Sequence, residues 1–105
     1  MISVTFFKKR DDILGFEFSG HAMAGEYGTD IVCAAVSSAA YMTANTITDI
    51  IGAKADINVG EGSMKLIIDE CDAKRCRDIL CGLELHIKGI AQEYGRNIKT
   101  AVKNI

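Results

Sequence analysis

The sequence contains no proline, no low-complexity segment and no internal repeat, so only glycines and charged turns divide its 105 residues. No linker-like stretch interrupts it, and a chain of this length is typical of one domain, here spanning residues 1–105. No unbroken run of about 18 apolar residues occurs, so we expect no membrane span. With 49% hydrophobic and 25% charged residues, the composition indicates an ordinary globular protein.

A strong excess of charge of either sign is also missing. The formal net charge is −2, which excludes the strongly basic balance of a dedicated nucleic-acid binder, so no direct nucleic-acid partner is expected. In residues 1–10 the charges follow the short apolar run, the reverse of the order in a secretory signal. The sequence therefore predicts a soluble, cytoplasmic protein.

Several motifs that carry chemistry are absent. There is no phosphate-binding glycine loop, no GxGxxG and no HExxH. Cys71, Cys76 and Cys81 are spaced five residues apart, which does not match the CxxC spacing of zinc and redox sites. We therefore expect no metal site and no cofactor, and we interpret Cys76 and Cys71 as small core-forming side chains.

Alternating apolar residues predict five strands. Residues 2–9 and 13–19 form one antiparallel hairpin, residues 53–59 and 63–69 form a second, and residues 97–102 form a final short strand. In the second hairpin we expect Ile57 and Val59 to face inward with Met64, Leu66 and Ile68. Most connections are hairpins, which favours a sheet rich in antiparallel pairs.

Two helices complete the predicted order. Residues 31–51 are helix-compatible, carry no charge between Ile31 and Thr48, and stop at Gly52. A helix this apolar is expected to be buried on most sides. In a small domain this suggests that a helix from a second subunit packs against it. The second helix carries an apolar stripe from Cys76 to Tyr94. The order ββαββαβ predicts an α+β fold, with an antiparallel-rich sheet and two main helices packed on it.

The segment that joins the first hairpin to the first helix brings reactive residues together. His21 lies in a predicted loop of residues 20–29 that contains Gly20, Gly25 and Gly28, and Cys33 follows His21 by twelve residues. With Asp30 or Thr29 as N-cap, Cys33 would be among the first three helical residues. Free backbone N–H groups there would stabilise a thiolate or the oxyanion on an attacked carbonyl, and the imidazole would carry the proton.

Each of these residues also has a simpler interpretation. Cys33 could be a packed core thiol, and Asp30 could be a helix cap rather than a third catalytic member that orients the imidazole. Gly25 and Gly28 could be turn residues or hinges of a loop that closes over substrate. Ser37, four residues after Cys33, shares its helix face and could line a substrate site. A thiol-redox sensor would need a second cysteine near Cys33.

The strings GHA at residues 20–22 and GTDIVCAAVS at residues 28–37 closely resemble the ribosomal-processing cysteine protease family, Prp. The resemblance implies that Cys33 is the nucleophile and His21 its base, with Asp30 and Ser37 in the site. It also implies a cofactor-free homodimer that removes the N-terminal extension of a large-subunit ribosomal protein, number twenty-seven. The alternative is a non-enzymatic ribosome-assembly or ribosome-binding module that docks through its basic C-terminal surface.

Overall fold

A computed structural model describes residues 1–20 and 27–105, and their side chains except those of residues 27–30. Five strands lie at Ile2–Lys9 (β1), Asp12–Gly20 (β2), Ala55–Gly60 (β3), Ser63–Ile68 (β4) and Ile98–Asn104 (β5). Two α-helices lie at Tyr27–Asn45 (α1) and Arg77–Glu93 (α2), with a π-helical segment at Thr46–Ile51 and a 3-10 turn at Glu70–Asp72. The predicted α+β fold and the order ββαββαβ are confirmed.

The strands form one mixed sheet in the order β3-β4-β2-β1-β5. The pairs β1-β2, β2-β4 and β3-β4 are antiparallel, as predicted. The pair β1-β5 is parallel, with Ile2 opposite Ile98 and Lys8 opposite Asn104. The first and last strands are therefore neighbours, and the connection from β4 to β5 crosses the sheet through α2.

The core lies between one face of the sheet and the two helices. The sheet contributes alternate residues, as expected where one face is covered, and the helices contribute one stripe each. These buried side chains, each at most 4% exposed, include Ile2, Val4, Phe6, Phe16, Phe18, Met64, Leu66, Ile68 and Ile98 from the strands, and Val32, Val36, Ala40, Leu80, Leu83 and Ile87 from the helices. The predicted stripe on α2 and the inward residues of β4 are confirmed.

The prediction that Ile57 and Val59 face the core is wrong. They stand opposite Leu66 and Met64 and so share the covered side of the sheet, yet they are 37% and 56% exposed. The reason is the position of β3 at the sheet edge. Since α2 packs on β2 and β5, and α1 packs on α2 and β1, the helices leave the outermost strand uncovered.

The first helix begins earlier than predicted. Its first residue is Tyr27, so Gly28 and Asp30 belong to the helix, and Asp30 is not the residue that precedes it. Gly20 is the last residue of β2. Gly20 and residues 27–29 therefore lie in regular secondary structure, and the rest of the predicted loop, residues 21–26, falls outside the described residues. Gly52 ends the helical stretch as predicted, in a left-handed conformation with φ 78°, and its N–H donates to the carbonyl of Ile47.

Within the described residues, the stretch Ile31–Ile51 is long and apolar enough to cross a bilayer on length and composition, with a mean hydropathy of 1.2. The expectation from the sequence that no segment could span a membrane therefore fails on length and composition. The core helix of a soluble domain satisfies the same criteria, and here Val32, Val36 and Ile47 pack into the core of the domain.

Candidate active site

Cys33 lies on α1 at the border between the core and solvent. Its neighbour Val32 is fully buried, whereas Cys33 itself is half-buried and packs against the margin of the core. The thiol is free. A free, half-buried cysteine at the margin of the core is a candidate nucleophile.

The start of α1 at Tyr27 changes how this thiol can be activated. Cys33 is the seventh residue of α1, counted from Tyr27, rather than the third. The field of a helix end fades within the first turn, and from the fifth residue onward backbone N–H groups bond within the helix. The N–H groups of Ile31, Val32 and Cys33 are therefore not free to hold a thiolate or an oxyanion. That part of the sequence-based hypothesis is wrong.

The other predicted site residues are only partly described. Ser37 lies one turn after Cys33 on α1 and is half-buried, as expected for a residue on the same face. Asp30 lies in the first turn of α1, so its backbone position is known. His21 and Gly25 fall outside the described residues.

The three remaining cysteines have different surroundings. Cys76 is buried, as predicted, and burial followed by the nearby charge of Asp72 raises the pKa of its thiol. Cys71 is exposed, so its predicted role in the core is wrong. Desolvation, then the carboxylates of Asp69 and Asp72, raise its pKa. Both thiols are poor nucleophiles at neutral pH because the thiolate is the reactive form.

Among residues 1–20 and 31–105, no three His, Cys, Asp or Glu side chains are grouped closely enough to hold a metal ion. An open cleft of about 520 Å³ lies at the end of the second hairpin, lined by Lys54, Ala55, Asp56, Ile67, Ile68 and Asp69. Cys33 is not part of that cleft, and no cysteine, serine or threonine is among these lining residues. We therefore centre the candidate site on α1.

Gly20 has a role that sequence reasoning missed, because the structure places it beside a second glycine, Gly62. The N–H of Gly20 donates to the carbonyl of Gly62 at 3.2 Å, and Gly20 pairs with Ile2 on its other side. Gly20 is thus the hydrogen-bonded end of β2 and does not belong to the predicted loop. The sequence offers no signal for this contact, because Gly60-Glu61-Gly62 has the pattern of an ordinary hairpin turn.

A small α+β domain with a half-exposed free thiol on a helix, and a histidine twelve residues before it in the chain, has the parts of a cysteine peptidase. Comparison with known proteins identifies the family. The family model of the cysteine protease Prp matches residues 1–99, and the chain belongs to that family.

Named relatives agree with this assignment. The ribosomal processing cysteine protease Prp of Staphylococcus aureus is 33% identical over 86 residues, which cover 80% of this chain and 81% of that protein. The protein of the same name in Bacillus subtilis is 26% identical over the full length of both chains.

Solved structures show the same fold. The crystal structure of an essential ribosomal processing protease Prp from S. aureus in complex with a substrate peptide superposes with a TM-score of 0.88. It is 27% identical and covers 98% of this chain and 100% of the other. The crystal structure of SMU.848 from Streptococcus mutans gives a TM-score of 0.87 at 25% identity, with 100% of this chain and 99% of the other covered.

Proposed function

We propose that this chain is a cysteine endopeptidase with a Cys33–His21 dyad. Its substrate is the N-terminal peptide of a ribosomal protein precursor, the large-subunit protein number twenty-seven, whose extension it removes. The observation that carries the proposal is the free, half-exposed Cys33 on α1, twelve residues after the histidine of a GHA motif. Relatives named as ribosomal processing cysteine proteases, one of them crystallised with a substrate peptide, support the choice of substrate.

The proposed reaction proceeds in two steps. His21 takes the proton of the Cys33 thiol, and Sγ attacks the carbonyl carbon of the scissile peptide bond. When the C–N bond breaks, the imidazolium returns the proton to the leaving amine, and a thioester joins the extension peptide to Cys33. Water then attacks the thioester, His21 accepts its proton, and the free carboxylate of the extension leaves as the thiol is restored. No cofactor takes part.

Two further residues on α1 are assigned supporting roles in this proposal. Asp30 lies inside the first turn of α1 and is not its cap, which favours the hypothesis that its carboxylate orients the His21 imidazole. Ser37 lies one turn from Cys33 and lines the substrate site. Because the N–H groups from Ile31 onward bond within α1, the donors for the oxyanion come from outside that stretch.

We also propose that the enzyme is a cytoplasmic homodimer that associates through the outward face of α1. Ile31, Tyr41 and Met42 are 46%, 45% and 55% exposed, and the helix has no charge from Ile31 to Thr48. An uncharged helix face with exposed large apolar side chains is typical of a subunit contact.

Cleavage of a synthetic peptide that carries the extension and its junction tests the proposal. Cys33→Ala and His21→Ala should each lower kcat/KM by about 10³-fold or more, with circular dichroism and melting temperature close to wild type. Cys81→Ala, at an exposed position on α2, is the matched control and should cleave at the wild-type rate.

Full cleavage by Cys33→Ala would reject the peptidase function. Ribosome binding by a chain that cleaves nothing would instead support the non-enzymatic assembly module.

A further inference from the structure

The side of α1 that points away from the core is apolar and uncharged. Its exposed apolar residues are Ile31, Ala34, Tyr41 and Met42. The segment from Ile31 to Thr48 contains no Asp, Glu, Lys or Arg. Large exposed apolar side chains on an uncharged helix face are typical of a surface that another protein covers. A charged partner would gain no ion pair on this face, so the partner that fits it is apolar and uncharged in the same way.

This face is complementary to a second copy of itself in the antiparallel orientation. A two-fold axis at Ser37 places Ile31 at the level of the partner's Met42, and apolar side chains then meet apolar side chains. The same axis places the small Ala34 at the level of the partner's large Tyr41. In a parallel pair, by contrast, each Tyr41 would meet its own copy, and the two Ala34 side chains would leave a gap. Residue size therefore favours the antiparallel pair.

Cys33 lies on one flank of this face, in a row with Ser37 and Tyr41. Four residues turn a helix through about 400°, so each step along the row rotates about 40° from the margin of the core toward the outward side. The exposure agrees with this rotation, because Cys33 and Ser37 are half-buried and Tyr41 is 45% exposed. Within one chain, Tyr41 and Cys33 are about 12 Å apart along the helix axis. Side chains four residues apart bridge their separation, but those eight residues apart do not.

In the antiparallel pair, the partner's Tyr41 lies at the level of Cys33, because residues 33 and 41 are equally far from Ser37. A two-fold axis perpendicular to both helices also keeps the two rows on the same side of the pair. Packed helix axes are about 8–10 Å apart, a distance that side chains span. We propose that the peptide site is composite. One subunit supplies Cys33, and the partner's Tyr41 forms an apolar wall against the substrate residue beside the scissile bond.

This inference rests on the proposed function, because Tyr41 gains this role only if Cys33 is the nucleophile of a homodimer that associates through α1. The chemistry that such a wall recognises is an apolar side chain of an extended peptide, since an aromatic ring offers a large apolar surface and no charge.

Mixing two impaired variants tests the composite site. Alone, Cys33→Ala should not cleave the extension peptide, and Tyr41→Ala should lower kcat/KM by about 10-fold to 100-fold, mainly by raising KM. In a mixed dimer, Cys33 of the Tyr41→Ala chain meets the intact Tyr41 of the Cys33→Ala chain, so one site is complete. After subunit exchange, equal amounts should recover about a quarter of the wild-type kcat/KM per chain, because about half of the dimers are mixed.

Met42→Ala is the matched control for association. Met42 follows Cys33 by nine residues, about half a turn around the helix, and so lies on the opposite flank of the interface. It should weaken the dimer yet keep the wild-type kcat/KM at concentrations where sedimentation equilibrium shows a dimer. Tyr41 and Met42 are 45% and 55% exposed, so neither replacement should prevent folding, which melting temperatures check.

Mixed dimers, verified by native mass spectrometry, that recover no activity would overturn the composite site. A fully active wild-type monomer, or a wild-type kcat/KM in Tyr41→Ala, would also overturn it, and each of these results leaves the peptidase function intact. Cleavage by Cys33→Ala would instead reject the function itself. If Tyr41→Ala does not dimerise, Tyr41→Leu takes its place in the mixture, because leucine keeps an apolar contact and removes the ring.

Discussion

At the scale of single residues, the chemistry of each thiol is decided by what surrounds it. Cys76 is buried beside Asp72, and Cys71 lies beside Asp69 and Asp72, so both favour the protonated form. Cys33 is half-buried at the margin of the core. Burial and neighbouring carboxylates therefore make Cys76 and Cys71 poor candidates for the nucleophile.

The raised pKa of Cys76 predicts how stability depends on pH. The folded state holds the Cys76 thiol proton more tightly than the unfolded chain does, so the protonated thiol stabilises the folded state. This stabilisation is fully present below the ordinary pKa of 9.0 and is lost as the pH rises through the folded pKa. The free energy of unfolding, measured with urea, should therefore fall more between about pH 8 and about pH 11 in the wild type than in Cys76→Ala.

Cys76→Ala also creates a small cavity, which lowers stability at every pH and does not alter this slope. Parallel pH curves for the two proteins would contradict the assignment of the shift to Cys76.

At the scale of secondary-structure elements, the end of the first helical stretch is tied to a distant part of the chain. The Arg75 guanidinium donates to the carbonyl of Ile51 and pairs with the Asp72 carboxylate at 2.8 Å. A cation at this end of a helix satisfies a carbonyl that has no partner within the helix. Arg75 thereby joins the π-helical segment to the connection between β4 and α2.

Loss of this tie should lower the free energy of unfolding modestly. We expect Arg75→Ala to cost about 1 kcal/mol, because the side chain is half-exposed and solvent weakens the ion pair. Arg77→Ala is the control, because Arg77 is exposed and forms no ion pair with the described residues, and it should change stability by less than about 0.5 kcal/mol. Equal urea midpoints for Arg75→Ala and wild type would show that the contacts of Arg75 with Ile51 and Asp72 do not contribute to stability.

Most elements follow from local patterns in the sequence. The strands, the apolar stripe of α2 and the stop at Gly52 depend on neighbouring residues, and each is found within about two residues of its predicted place. The predictions for Asp30 and Ile57 failed because they depended on how far an element extends and where it lies in the fold. Asp30 has the chemistry of a cap but α1 extends beyond it, and Ile57 has the alternation of a core residue but lies on an edge strand.

For the candidate site, residue types and spacing around His21 and Cys33 led to the hypothesis of a dyad. That hypothesis stays a prediction, because His21 lies outside the described residues. The contact between Gly20 and Gly62 could not be predicted, because it requires β4 to pair with β2 rather than only with β3. Sheet order is a property of the whole chain, and no local pattern specifies it.

At the scale of the whole molecule, the homodimer that we propose would associate through the apolar outward face of α1. We expect Tyr41→Lys and Met42→Lys each to raise the dissociation constant of the homodimer by at least about tenfold. Burying an unpaired ammonium group in the interface is unfavourable, because the group loses its hydrating water. Leu85→Lys is the matched control. Leu85 is 76% exposed on α2, and its replacement should leave the dimer intact.

Sedimentation equilibrium of the three variants and the wild type measures the effect. A wild-type chain that is monomeric at micromolar concentration would reject the homodimer. If Leu85→Lys alone dissociates the dimer, the dimer interface is formed by α2 and not by α1.

The parallel pairing of β1 with β5 has a consequence for synthesis on the ribosome. Ile2 can pair with Ile98 only after the intervening chain has emerged, so one edge of β1 remains unpaired during most of translation. Contacts between residues so far apart in sequence raise the contact order and slow the final closure of the sheet. The nascent chain therefore exposes an unsatisfied β1 backbone until β5 arrives, and that interval is when it is most prone to pair with the wrong strand.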